Sequence, residues 1–191
     1  MLKMITVAMV LATVAATAAT AESEPSPYAG QQMRQIKGLS PQDIDDLRHG
    51  RGWGLAKPAE LNGVPGPTHL LDMADQIGLD STQVAQLRAI KEEMTAQAKP
   101  LGEKLIALEA ELDRQFASGT ITDASLRQLL AQIAETRRDL RYTHLATHFK
   151  TPPLLTAEQI ATYKRLRGYT MPPGGGPHHM QGGAHGGHGG H

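Results

Sequence analysis

The chain contains no cysteine. That removes disulfides, thiolate metal ligands, thiol catalysis and the cysteine of a bacterial lipid anchor together. Aromatic residues are scarce, at 4%, while Ala, Leu, Gln and charged residues fill the middle. This composition suits extended helices better than a large globular core. Net charge is missing too: 19 basic residues face 19 acidic ones, so there is no electrostatic case for a nucleic-acid partner. The apolar run Met4 to Val14 is too short and too alanine-rich to span a membrane. Preceded by Lys3 and followed by the small-residue site Ala19-Thr20-Ala21, it reads as a cleaved signal peptide over 1–21. The mature chain is then expected to start near Glu22, in a bacterial periplasm, without stable membrane insertion.

What the sequence does have is a long helical pattern between Leu79 and Lys150. Apolar residues fall at Val84, Leu87, Ile90, Met94, Ala98, Leu101, Leu105, Leu108, Leu112 and Phe116. The spacings of three and four draw one stripe along one side of a helix. The pattern repeats at Leu126, Leu130, Ile133, Leu140 and Leu145, with Leu129 widening it. Between the two runs, Ala117-Ser118-Gly119-Thr120 is a short turn with a glycine where a helix would stop. The first helix alone would be roughly 55–60 Å long. The predicted fold is therefore all-α, an elongated helical hairpin with a kink at Pro100 and additional short helices. Two helices side by side cannot cover both stripes, so another segment or another copy of the chain must complete the burial.

The rest of the chain divides around this hairpin. Residues 22–67 form a proline-bearing leader and short helices, 68–168 the helical domain, and 169–191 a disordered tail of Pro, Gly and His. Short helices are expected over 28–38, from Pro41 to about His49, over 54–62 and over 68–78, and a longer one over 156–167. Helix starts are marked by Ser40, Asp80, Thr122 and Thr156, each able to cap the helix that follows it. Gly50-Arg51-Gly52-Trp53-Gly54 has no strand before it and no Lys-Ser/Thr after it, which argues against a phosphate loop. It reads as a turn that lets Trp53 tuck against the helices.

Histidine is the residue with chemistry to offer. The tail holds His178, His179, His185, His188 and His191 among glycines. Imidazole binds zinc, copper and nickel, and an all-nitrogen site disfavours calcium and magnesium. His144 and His148, four apart on the second long helix, share a face and are a second candidate metal pair. The His-Leu-Ala-Thr-His run lacks the Glu that a zinc-protease helix needs. His49 and His69 stand isolated in sequence. No nucleophile motif appears, so no enzyme and no organic cofactor are expected.

Leu79-Asp80-Ser81-Thr82-Gln83 and Leu155-Thr156-Ala157-Glu158-Gln159, with the signal segment and the hairpin, resemble the Spy/CpxP family of periplasmic LTxxQ-motif proteins. The first copy has Asp80 where that family has Thr. The His/Gly-rich end is similar to that of the related zinc resistance-associated protein. The resemblance implies a cradle-shaped homodimer active in envelope stress. It also implies heavy-metal binding, ATP-independent chaperoning of unfolded envelope proteins, or restraint of a membrane sensor kinase. Residues 28–67 have no counterpart in it.

Overall fold

The computed structural model describes residues 26–170, so the expected signal peptide and the five tail histidines lie outside the described residues. Among the described residues the regular structure is helical: α1 (Pro41–Arg48), α2 (Lys57–Glu60), α3 (Pro67–Asp72), α4 (Ala74–Ile77), α5 (Ser81–Ala117), α6 (Asp123–Lys150) and α7 (Ala157–Leu166), with short 3-10 turns at Gln31–Met33 and Pro152–Leu154. The all-α expectation holds. Ser40, Asp80, Thr122 and Thr156 each close a reciprocal capping box at the start of α1, α5, α6 and α7. Such a box satisfies two backbone N–H groups that the first helical turn leaves without partners.

The 37 residues of α5 make a rod about 55 Å long. It runs through Pro100 as one helix. Pro100 and Ala96, whose carbonyl loses its helical partner there, are both exposed, so water can take that bond. α5 pairs with α6 along a seam that buries Ala98 and Leu105 of the first with Ile133 and Leu140 of the second. Two members of the predicted stripes point away from it. Leu130 is 48% exposed because neighbouring helical residues diverge by about 100°, and the inward place goes to Leu129. Phe116, near the hairpin tip, is 57% exposed.

The cover that the hairpin lacks comes from the amino-terminal segment. Ile36, Leu39, Ile44 and Leu47 join Ala98, Leu105, Ile106, Ile133 and Leu140 in one buried cluster. α1 crosses α5 at Gly102, where an added Cβ would lie 2.1 Å from the Leu47 carbonyl oxygen. Only a residue without a side chain lets the two backbones come so close. Trp53, at φ 44°, donates its indole N–H to Asp43 at 2.7 Å and lies under the Arg137 guanidinium of α6, 5.2 Å from its ring. Burial works against the Asp43 carboxylate, but hydrogen bonds from Ser40 and Trp53 outweigh it and hold its pKa below the ordinary value.

The expected short helices are mostly shorter than predicted. Residues 28–38 contain only the turn Gln31–Met33, 54–62 only α2, and 68–78 splits into α3 and α4 at Met73. At this end Leu70, Ile77, Leu87 and Tyr163 form a second buried cluster.

The two capping glutamines clasp one another beside that second cluster. Each side-chain oxygen accepts from its own N-cap, Asp80 N or Thr156 N, at 3.0 Å. Gln83 Nε2 donates to Gln159 Oε1 at 2.9 Å and to the Leu154 carbonyl at 2.7 Å. Gln159 Nε2 donates to Gln83 Oε1 and to the Gly78 carbonyl, both at 3.0 Å. Each amide thus fills two acceptor and two donor places. Gln83→Ala and Gln159→Ala should each lower the unfolding free energy in urea by about 1–3 kcal/mol, because each leaves its half-buried partner short of bonds. The double variant should lose less than the sum; strict additivity would show that the two amides do not act together.

Candidate functional site

The buried face of α6 turns polar toward its carboxyl end. After Leu140 it presents Thr143, His144, Thr147 and His148, followed by Thr151 at the helix cap. The threonines are satisfied close by: Thr143 donates to Asp139 O at 2.9 Å, Thr147 to His144 O at 2.7 Å, and Thr151 to the Pro65 carbonyl. A hydroxyl that bonds its own helix can be buried at little cost.

The two histidines differ. His148 is 4% exposed and its Nδ1 lies 2.9 Å from the Val64 carbonyl. A carbonyl only accepts, so Nδ1 carries a proton, and in the neutral ring the lone pair belongs to Nε2. The ring is also wedged against Gly66, where a Cβ would stand 2.8 Å from Cε1 and 2.9 Å from Nε2. His144 is 3% exposed and its buried Nε2 has no hydrogen-bond partner. Burial pushes its pKa below the ordinary histidine value, and the neighbouring His148 pushes the same way.

Both rings line a cavity of about 460 Å³. Its walls come from three separated stretches. The amino-terminal segment supplies His49, Gly50, Arg51, Glu60 and Gly66 through His69; α5 supplies Lys91, Met94 and Thr95; α6 supplies His144, Thr147 and His148. Gly50, at φ 64°, sits so close to α5 that a Cβ would be 3.2 Å from the Thr95 carbonyl oxygen. All four histidines outside the tail meet here. His49 Nδ1 is 2.8 Å from the Asp45 carbonyl and 3.1 Å from its carboxylate. His69 lies between Glu60, at 3.7 Å, and Asp72, at 3.8 Å.

The spacing of His144 and His148 announced a shared face, and the structure places that face inward. Nothing in the sequence linked them to His49 and His69. Those two arrive because α1 docks on α5 at Gly102 and α3 packs against α5. Among the described residues no three His, Cys, Asp or Glu groups are arranged to hold a metal ion. The pair on α6 is therefore two imidazoles facing a cavity. The tail histidines lie outside the described residues.

A histidine whose pKa is lower folded than unfolded stabilises the fold above its unfolded value, about 6.5. That contribution is lost as pH falls below it, because the unfolded chain then binds more protons. The thermal stability of the metal-free protein should therefore fall from pH 7.5 to pH 5. His144→Leu should flatten that slope by up to about 1.4 kcal/mol per pH unit; an unchanged slope would show that His144 does not titrate across the folding transition.

No helix among the described residues is long and apolar enough to cross a membrane. The profile of the LTXXQ motif family matches residues 68–167, just over half of the chain. The match takes in α5, α6, α7 and both glutamine motifs, and leaves out the cavity wall from His49 to Pro67. No curated protein and no solved structure matches the chain.

Proposed function

The chain belongs to the LTXXQ motif family, and on that premise we propose that it is a periplasmic stress protein that resists heavy metals by binding divalent transition ions through histidine. One observation carries the reading. Two buried imidazoles stand four residues apart in a cavity of about 460 Å³, one with an unpartnered ring nitrogen and the other with its free lone pair fixed by a carbonyl. A backbone carbonyl that sets the tautomer of a neighbouring imidazole is the usual support of a metal-ligating histidine. Zinc, copper and nickel all accept such ligands. His178, His179, His185, His188 and His191 add a second, more accessible set. Binding should weaken below about pH 6.5, where protons compete for imidazole.

Calorimetric titration of zinc, copper and nickel into the mature protein tests this. Removal of residues 171–191 should abolish one class of sites and leave another, which His144→Leu with His148→Leu then removes. Binding no tighter than about 1 mM for all three metals would dismiss the reading.

A chaperone-like role accompanies it, supported by a separate feature. Tyr142 and Phe149 are seven residues apart on the outer side of α6 and are 70% and 80% exposed. Exposed aromatic side chains on a helical rod offer a face to unfolded clients or to a second copy of the chain. The mature protein should suppress aggregation of an unfolding client at equimolar ratio, and Tyr142→Ser with Phe149→Ser should weaken that protection. Absence of protection by the unaltered protein would remove this part of the reading.

A further inference from the structure

The same cavity has a sulfur donor. Met94, on α5, is 8% exposed and lines it together with His144 and His148. The chain has no cysteine, so a thioether is the softest ligand available anywhere in it. Imidazole accepts both soft and borderline ions, whereas a thioether favours soft monovalent copper over zinc or nickel.

The electrostatics of the lining point the same way. The Met94 thioether and the imidazoles of His144 and His148 bring no negative charge to an ion. Lys91 also lines the cavity, against the single lining carboxylate of Glu60, and Arg51 there is already paired with Asp45 and Asp46. The cost of burying an ion rises with the square of its charge, so a divalent ion is far less welcome among these groups than a monovalent one. A zinc site ordinarily closes with four ligands, several of them anionic, and no such set is assembled among the described residues. A soft monovalent ion is content with fewer, neutral donors.

We propose that the cavity between α5, α6 and the amino-terminal segment is a site for a soft monovalent ion, copper(I) or silver(I), held by the imidazoles of His144 and His148 and the thioether of Met94. This rests on the reading of the protein as a metal binder and deepens it: the cavity holds soft monovalent ions more tightly than the borderline divalent ones that it shares with the tail.

The test uses the full mature chain, stripped of metal and labelled with carbon-13 at the methionine methyl groups. Silver(I) is the redox-inert probe, in chloride-free buffer, and zinc the comparison. One equivalent of silver should move the Met94 methyl resonance, identified by its loss in Met94→Leu, further than one equivalent of zinc does. Met94→Leu, which nearly conserves side-chain volume, should weaken silver binding at the cavity about ten-fold, equivalent to about 1.4 kcal/mol, and leave zinc binding unchanged. A Met94 resonance indifferent to silver would overturn the proposal. So would equal loss of silver and zinc binding in Met94→Leu, although metal binding by the protein would survive either result. If neither metal bound at all, the broader reading would fail with it. Should the variant not fold, the Met94 resonance of the unaltered chain is assigned instead from its through-space contacts with α6, and its response to silver still decides.

Discussion

A pair of long helices has one contact line and two flanks, and the shape of this protein follows from the need to cover one flank. α5 buries Ala98, Leu105 and Ile106, yet α6 alone does not enclose them. Ile36, Leu39, Ile44 and Leu47 close over that side. The approach is set by backbone rather than side chain, because α1 meets α5 at Gly102. Close packing of this kind leaves little room to slide. The position of α1 along the rod therefore fixes where the following loop, and with it His49 and Gly50, must fall.

At the open end of the hairpin the binding logic changes from apolar to polar. Leu87, Leu70, Ile77 and Tyr163 supply the burial, while Gln83 and Gln159 bind the start of α5 to the start of α7 through paired amides. A capping glutamine ordinarily serves only its own helix. Here each also reaches a carbonyl just before the other motif, so two local devices become one long-range joint. The two LTxxQ-type motifs are related by contact as well as by spelling.

Much of the fold was legible in the sequence because helical spacing and capping are local properties. The hairpin, its turn and all four capping residues could be read from neighbours within a few positions. Leu129 and Leu130 show the limit: both are apolar, and only the partner helix decides which turns inward. The buried threonines show another. Thr136, Thr143 and Thr147 look like surface residues until their hydroxyls are seen to bond within α6. The site was half legible. The spacing of His144 and His148 is local and was visible, but their company is not. Met94 read as one more stripe residue, and His49 and His69 as isolated, because the contacts that gather them span up to about a hundred positions.

The loop at Val64–Gly66 has a consequence of its own. Its carbonyls are held by His148 and Thr151, and its glycine lies flat against the His148 ring. The cavity therefore does not exist until the first third of the described chain has docked onto the last turns of α6. An occupant would act as a rivet through early and late parts of the sequence. By mass action it would favour the docked state of the whole assembly over any in which the amino-terminal segment has peeled away.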